Sequence, residues 1–184
     1  MSETTFITGN PNKAAFLERW LEVDMPYQKI ELDEIQSLDL SEIVEHKARQ
    51  AYAHMQKPVL VEDVGLRIAA MGKLPGPFIK WFIEEMSLEE ICSLIPTDKE
   101  RDAISMVTYA WFDGVKMELF EGSLNGSISD SPRGDRGFGF DAIFIPNGSN
   151  KTHAEMSDDE IISFGLRTTT VFPMLRSFFD KIDK

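Results

Sequence analysis

Two runs of β-branched and aromatic residues, 103–112 and 115–120, are separated by the dipeptide Asp113-Gly114. This dipeptide favours a tight turn between antiparallel strands, because both residues tolerate the positive φ angles that such turns require. The pattern therefore predicts a β-hairpin. A chain that contains this hairpin must fold around a sheet that is at least partly antiparallel.

The first part of the chain alternates between strand and helix patterns. Residues 4–8 are β-prone and lead into a helical pattern for which Asn10 is the expected cap. Ser41 is expected to cap a second helix, and the apolar run 59–61 predicts a buried strand that ends where the acidic residues 62–63 begin. Alternation followed by a hairpin predicts an α/β fold with a mixed sheet.

Composition limits the classes of partner. The chain has 184 residues, which fits a single domain spanning residues 1–184, and its formal net charge of -12 disfavours nucleic acid and anionic membranes. No apolar run is long enough for a membrane span. The only cysteine, Cys92, is expected to be a packing residue, and the absence of any possible intrachain disulfide fits the cytoplasm.

The segment Thr8-Gly9-Asn10, followed by Lys13, is the first candidate site. A strand delivers a tight turn to the beginning of a helix, where free amide groups and the helix dipole favour an anion, and Lys13 adds a positive charge. The alternative is an ordinary capped helix with an exposed lysine. The pattern alone is compatible with both.

Three carboxylates, Glu34, Glu62 and Asp63, form the second candidate. Magnesium prefers oxygen ligands and is usually held by one or two carboxylates together with waters and substrate phosphates. Neighbouring strand residues point to opposite faces, so Glu62 and Asp63 can have different roles. The alternative is that both are solvated residues at the end of a strand.

The glycine-rich loop 131–141 is the third candidate. Its glycines allow close approach to a ligand, Phe138 and Phe140 can stack on a base, and Asp141 can accept hydrogen bonds from it. These are the chemical groups of a nucleotide pocket. The alternative is a structural loop with both phenylalanines anchored in the core.

Taken in order, these segments resemble the inosine triphosphatase family, also called the Ham1 family. The matching residues are Thr8-Gly9-Asn10 with Lys13, Glu34-Ile35-Gln36 with Lys47, Val61-Glu62-Asp63, the run 74–82, Pro132-Arg133-Gly134, the run 137–141, and the run 154–160. The resemblance implies an elongated mixed β-sheet flanked by helices, with two lobes and a central nucleotide-binding cleft. It also implies a homodimer that hydrolyses a nucleoside triphosphate, such as inosine, deoxyinosine or xanthosine triphosphate, to a monophosphate and pyrophosphate with Mg²⁺.

The resemblance assigns roles to individual residues. The implied catalytic residues are Asp63, Lys13 and Lys47. Asp63 would orient or deprotonate the attacking water. Glu34 and Glu62 would hold magnesium. The substrate-binding residues are Thr8, Gly9, Asn10, Lys13, Lys47 and Lys80 for the phosphates, and Phe138, Gly139, Phe140 and Asp141 for the base. Arg167 is a further candidate for the base, although it does not match the family position.

One segment departs from the family pattern. After Glu160 the family has a lysine and then Ser-His-Arg, whereas this chain lacks the lysine and has Phe164-Gly165 in place of His-Arg. Arg167 lies two positions further on, which in a continuous helix would place it about 200° around the axis on another face. We therefore predict weaker discrimination of inosine from adenosine triphosphate, unless a rearranged loop brings Arg167 into the vacant place.

Two other functions are compatible with the same residues. A nucleotide-binding protein without efficient turnover would keep the phosphate-binding residues, and an interaction module would use exposed aromatic residues. Retention of Glu34, Glu62 and Asp63 favours the enzyme, because a protein that only binds nucleotide does not need a water-activating carboxylate beside the metal ligands.

Overall fold

The computed structural model describes residues 4–21 and 25–182. The strands are β1 (Thr5–Ile7), β2 (Tyr27–Gln28), β3 (Val59–Ile68), β4 (Pro75–Gly76), β5 (Asp102–Phe112), β6 (Met117–Ile128) and β7 (Phe144–Pro146). The α-helices are α1 (Pro11–Leu21), α2 (Leu40–Met55), α3 (Ile79–Glu85), α4 (Leu88–Ser93), α5 (Asp158–Phe164) and α6 (Phe172–Ile182). No helix among these residues is both long and apolar enough to cross a membrane.

The strands form one mixed sheet in the order β2-β1-β3-β5-β6-β7, with β4 paired to β3. β1 is parallel to β2 and β3, whereas β4 and β7 are antiparallel to their neighbours. β5 and β6 form the hairpin that Asp113-Gly114 predicts. Gly114 has a φ of +98°, and a Cβ there would lie 2.3 Å from the ring of Tyr52, so only glycine fits this turn. The mixed α/β prediction is confirmed.

The chain divides into two compact units. The first unit contains the described residues up to Asp63, Val107–Gly122, and the described residues from Thr170 onward. The second unit contains Val64–Met106 and Ser123–Thr169. Each unit has a buried apolar core of its own.

In the first unit, alternate residues of the strands face different helices. Ile7, Val61, Ala110 and Phe112 pack in one core with Val44, Ala48 and Ala51 of α2. The neighbouring strand residues face α1 and α6 instead. Tyr109 lies against Phe172 of α6, and Phe16 of α1 also contacts that ring. Successive residues of β3 therefore point to α2 on one face and towards α1 and α6 on the other.

The core of the second unit is built from strand and helix residues together. The buried residues are Leu66, Ile68, Ile79, Ile91, Cys92, Ile95, Ala103, Ile128, Phe140, Ile143 and Phe144. Cys92 is thus a packing residue, as predicted, and burial raises the pKa of its thiol. The helix α4 begins with a capping box, in which the Ser87 hydroxyl accepts the Glu90 N–H and the Glu90 carboxylate accepts the Ser87 N–H.

Two sequence predictions about element ends are wrong. Strand β3 does not end at Glu62 and Asp63 but continues to Ile68, because Leu66 and Ile68 supply buried apolar side chains to the second core. The cap of α2 is Asp39 rather than Ser41, since the Asp39 carboxylate accepts the Ser41 N–H at 2.9 Å. The two acidic residues of β3 therefore lie within a long strand instead of at its exit.

Candidate functional site

Five charged side chains of the first unit form two groups of ion pairs, which the adjacent residues Glu62 and Asp63 connect. We call them together the acid–lysine cluster: Lys13, Glu34, Lys47, Glu62 and Asp63. Lys13 Nζ lies 3.1 Å from Glu62 Oε1. Lys47 Nζ lies 2.8 Å from Asp63 Oδ2 and 3.4 Å from Glu34 Oε1. These five residues include every metal ligand and every catalytic residue that the sequence predicts.

The pleat of β3 explains why two adjacent acids bind different lysines. Glu62 points to the face covered by α1, which carries Lys13 in its first turn. Asp63 points to the opposite face, where Lys47 projects from the middle of α2. The strand thus separates a buried carboxylate from a more accessible one, although the two residues are neighbours in sequence.

Glu62 is the most buried member of the cluster, with a side chain only 1% exposed. A carboxylate at this depth must be compensated by charge or by hydrogen bonds. One oxygen, Oε1, faces Lys13, and the other, Oε2, accepts a hydrogen bond of 2.5 Å from the Tyr109 hydroxyl. Both oxygens of the buried carboxylate are therefore engaged by named donors.

Asp63 and Glu34 share one cation. Their side chains are 18% and 41% exposed, and Lys47 between them is 15% exposed. Burial by itself would lower the pKa of Lys47. The charges and hydrogen bonds of Asp63 and Glu34 together raise the pKa by more than burial lowers it, so the pKa stands above its ordinary value. Lys47 therefore keeps its positive charge at neutral and moderately alkaline pH, shared between Asp63 and Glu34.

The segment Thr8-Gly9-Asn10 joins β1 to α1 beside this cluster. The Asn10 side chain accepts the Asn12 N–H at 2.9 Å and caps the helix, as predicted. The expectation of several free helical amides needs correction. Pro11 has no N–H, and the Asn12 and Lys13 amides already bond to Asn10. An anion would instead meet the Gly9 amide, the Thr8 hydroxyl and the Asn10 side-chain amide.

The acid–lysine cluster contains the type of ligand atom that magnesium prefers, but it does not contain a complete set of ligands. In the described part of the chain, no three His, Cys, Asp or Glu side chains converge as a metal site. The acids of the cluster bring only oxygen atoms, and each lies within 3.4 Å of an ammonium group, so this position already attracts positive charge. Such a set fits a magnesium ion that completes its shell with waters and phosphates.

The glycine-rich loop lies in the second unit, where Asp141 organises it. The Asp141 carboxylate accepts the Phe138 N–H at 2.8 Å, and its other oxygen lies 3.7 Å from His153 Nδ1. Gly137 has a φ of +75°, and a Cβ there would lie 2.3 Å from Asp141 Oδ2. The loop therefore needs glycine at position 137 to bring its backbone to this carboxylate.

Arg167 lies over the ring of Phe138, with its guanidinium carbon 5.4 Å from the ring centroid. The assumption of a continuous helix is wrong, because α5 ends at Phe164 and Gly165 has an extended backbone. Arg167 then begins a π-helical turn, Arg167–Val171. The rearranged segment brings Arg167 to the aromatic residue that is predicted to stack on the base.

The remaining predicted residues differ in accessibility. Phe140 is buried in the core of the second unit, so it packs as the alternative interpretation of the loop expects. Gly139 is exposed, and Phe138 is partly exposed. Lys80 is exposed on α3, with Nζ 5.2 Å from the ring centroid of Trp81. A ligand can therefore reach Phe138, Gly139 and Lys80 at the protein surface without any unfolding.

Two residues near the acid–lysine cluster were missed at the level of sequence. Tyr109 contacts Glu62, and the side chain of Lys29 lies beside Gly9, where an added Cβ would be 3.5 Å from Lys29 Cε. Tyr109 could have been suspected, because a tyrosine within a buried strand needs a partner for its hydroxyl. No spacing rule connects Lys29 to the loop.

Comparison with known proteins gives consistent matches. The Ham1 family matches residues 4–174. The chain is 40% identical to a dITP/XTP pyrophosphatase of Hyperthermus butylicus over 73% of this chain and 70% of that protein. It is 38% identical to inosine triphosphate pyrophosphatase 2 of Trypanosoma cruzi over 86% of this chain and 83% of that protein.

Solved structures agree with the fold. A HAM1 protein from Coxiella burnetii superposes with a TM-score of 0.80 at 23% identity, and the match covers 98% of this chain and 100% of that one. The Ham1 protein of Staphylococcus aureus gives a TM-score of 0.77 at 22% identity, with 97% and 98% covered. The mixed sheet with flanking helices is therefore shared with these proteins.

Proposed function

Because the chain belongs to the Ham1 family, we propose that it hydrolyses a nucleoside triphosphate to a monophosphate and pyrophosphate. The relatives named above act as inosine triphosphate and dITP/XTP pyrophosphatases. We propose the same substrate class here, namely purine triphosphates with an oxo group at position 6. A lone cysteine also supports a reducing, cytoplasmic location.

The observation that carries this proposal is the acid–lysine cluster. Phosphoryl transfer needs charge neutralisation and positioning more than covalent chemistry. The cluster supplies two lysines for the phosphates and three carboxylates for a cation and a water, in two groups of ion pairs with N–O distances of 2.8 to 3.4 Å that join at the adjacent residues Glu62 and Asp63. A simple nucleotide-binding site would not need Asp63 in addition to Glu34 and Glu62.

Magnesium is the cation that we propose, with Glu62 and Glu34 as the residues that would hold it. When bound, it would neutralise charge on the phosphoryl oxygens that the reaction rearranges. The carboxylates are paired with lysines in this structure, so Lys13 and Lys47 would have to leave them for the phosphates before Glu62 and Glu34 could hold a cation. Each lysine would move from a carboxylate to a phosphate oxygen, which keeps every charge paired.

The residues of this chain then divide the work. Lys13 and Lys47 bind and orient the phosphates, with the Gly9 amide and the Thr8 hydroxyl as further donors. Asp63, released from Lys47, becomes the acceptor for a proton of the attacking water. Its position on a strand within the sheet fixes the direction from which that water approaches.

The reaction products provide the first test. We expect one pyrophosphate and one nucleoside monophosphate per inosine triphosphate consumed, because cleavage falls between the α and β phosphates. Separate assays for pyrophosphate and orthophosphate, without added inorganic pyrophosphatase, measure this ratio. Chelation of Mg²⁺ is expected to abolish turnover, and addition of excess Mg²⁺ to restore it. Stepwise release of orthophosphate would show that the proposal is wrong.

We propose a homodimer as the working assembly, supported by exposed apolar residues of the second unit. Trp81 is 53% exposed and Leu74 is 43% exposed, near the cis peptide bond between Leu74 and Pro75. Phe78 and Phe82, in the same segment, are partly buried. The patch that remains available to a second copy is therefore centred on Trp81.

The assembly is tested by Trp81→Ser. Truncation of an aromatic residue at the centre of an interface costs about 2 kcal/mol or more, which is roughly a thirtyfold rise in the dissociation constant. Light scattering across a concentration series is expected to show a dimer for the parent protein and earlier dissociation for the variant. Val115→Ser is the control, because Val115 is 94% exposed in the hairpin turn. A monomeric parent protein at micromolar concentration would contradict the dimer.

A further inference from the structure

The buried phenol of Tyr109 is held firmly by its surroundings. Tyr109 lies on β5, is 0% exposed, and packs between Phe6 and Phe172, whose ring centroids are each 6.3 Å from its own. A ring packed in this way between two others in a dense core has little freedom to change rotamer. The position of its hydroxyl group is therefore set by the core of the first unit.

This hydroxyl donates a hydrogen bond of 2.5 Å to Glu62 Oε2. The direction is determined by chemistry, because an ionised carboxylate only accepts and the phenol carries one hydrogen. Bonds between a hydroxyl and a carboxylate are short and about twice as strong as bonds between neutral groups. Glu62 is thus fixed by a rigid donor rather than by a flexible one.

The two oxygens of Glu62 have different kinds of partner. Oε2 is held by Tyr109, whereas Oε1 lies 3.1 Å from Lys13 Nζ. Lys13 has a long side chain, 16% exposed, on the first turn of α1, so it can turn towards a phosphate. Tyr109 cannot follow, because its ring is enclosed. When Lys13 leaves, only Oε1 becomes available to an incoming cation.

We propose that Tyr109 is a positioning residue that makes Glu62 a one-oxygen ligand, with Oε1 directed to the cation and Oε2 retained by the phenol. This role rests on the proposed function of the cluster. It specifies how the carboxylate is oriented before substrate arrives, which the family assignment does not. Loss of the hydroxyl would free Glu62 to rotate and to offer either oxygen to Lys13 or to the metal.

The two possible roles of Tyr109 predict different results. Partners that orient a metal ligand typically contribute about 10- to 100-fold in metal affinity. A purely structural hydroxyl would affect thermal stability and leave metal affinity unchanged. The substitution Tyr109→Phe distinguishes them, since it removes one oxygen and keeps the ring.

The experiment measures Mn²⁺ binding by electron paramagnetic resonance, which counts free Mn²⁺. The protein is saturated with an α,β-methylene triphosphate analogue that cannot be cleaved. We expect Tyr109→Phe to raise the Mn²⁺ dissociation constant by about tenfold or more. The control is Thr4→Val, which removes another buried hydrogen bond to β5, the bond of 3.0 Å from Trp111 Nε1 to Thr4 Oγ1. That variant should bind Mn²⁺ as the parent does.

A double-mutant cycle shows whether Tyr109 acts through Glu62. If it does, Tyr109→Phe should add little to the loss caused by Glu62→Gln, because the group that it positions is already altered. Independent, additive losses would overturn the proposal. So would unchanged Mn²⁺ affinity in a folded Tyr109→Phe protein.

A second measurement covers the case in which Tyr109→Phe does not fold. In a protein with Tyr27→Phe and Tyr52→Phe, Tyr109 is the only tyrosine left. Mn²⁺ binding should then shift the phenol absorption, and Glu62→Gln should abolish the shift. The absence of a shift would overturn the proposal.

The two proposals can fail separately. If the parent protein releases pyrophosphate but Tyr109→Phe binds Mn²⁺ as the parent does, only the positioning role is refuted. If the parent protein releases no pyrophosphate, the proposed function itself is refuted.

Discussion

Replacement of Asp63 by asparagine is expected to reduce kcat by about 10²- to 10⁴-fold and to leave nucleotide binding nearly unchanged. A positioned general base contributes rate enhancement of this size. Asparagine keeps the shape of the side chain but cannot accept the proton of the attacking water. Lys47 would retain Glu34 at 3.4 Å, so the variant should fold without an unpaired lysine.

Steady-state kinetics with inosine triphosphate measure the loss, and calorimetry with the uncleaved nucleotide measures binding. Two variants complete the design. Glu62→Gln should chiefly raise the magnesium concentration needed for half-maximal rate, because it alters a ligand rather than the base. Asp102→Asn, at an exposed position at the beginning of β5, should change neither quantity. Near-full activity of Asp63→Asn would show that another group activates the water.

Arg167→Ala is expected to lower the ratio of kcat/KM for inosine over adenosine triphosphate by about tenfold or more. A charge-assisted hydrogen bond contributes roughly 1.5 to 3 kcal/mol, and 1.4 kcal/mol corresponds to a factor of ten. The lysine and the His-Arg pair that the family uses are absent, so any selectivity that remains depends on a different donor. Arg167, whose guanidinium carbon lies 5.4 Å from the Phe138 ring centroid, is our candidate for that donor.

The matched control is Arg167→Lys, which keeps the charge but not the planar pair of N–H donors. It should recover only part of the ratio if the 6-oxo group is recognised by a fork of two hydrogen bonds. The ratio for the parent protein is still predicted to be smaller than in relatives with the complete segment. A large parent ratio that persists in Arg167→Ala would exclude Arg167 from base recognition.

The sequence predicted the fold where local chemistry is decisive. Asp113-Gly114 between two runs rich in β-branched and aromatic residues favours a hairpin through the conformations of the turn residues themselves, which is a local signal. Asn10 capped α1 for the same reason. Local signals also placed Lys13 at the start of a helix, and the structure has it in the first turn of α1.

Features that depend on distant contacts could not be predicted in this way. The continuation of β3 beyond Asp63 depends on the core of the second unit, which Leu66 and Ile68 enter. The contact between Tyr109 and Glu62 joins residues that are 47 positions apart. Arg167 was misplaced because the helical period was extended through Gly165, where the backbone becomes extended.

The location of Glu62 and Asp63 within β3 also restricts how the chain can vary in length. Along this strand, side chains alternate between the faces, and the pairing with β1 fixes the register, with Ile7 opposite Val61. Insertion or deletion of one residue before Glu62 would exchange the faces of the two acids, bringing the proposed metal ligand to the face of Lys47 and the proposed base to the face of Lys13 and Tyr109. Homologous strands should therefore not tolerate the insertion or deletion of a single residue before Glu62.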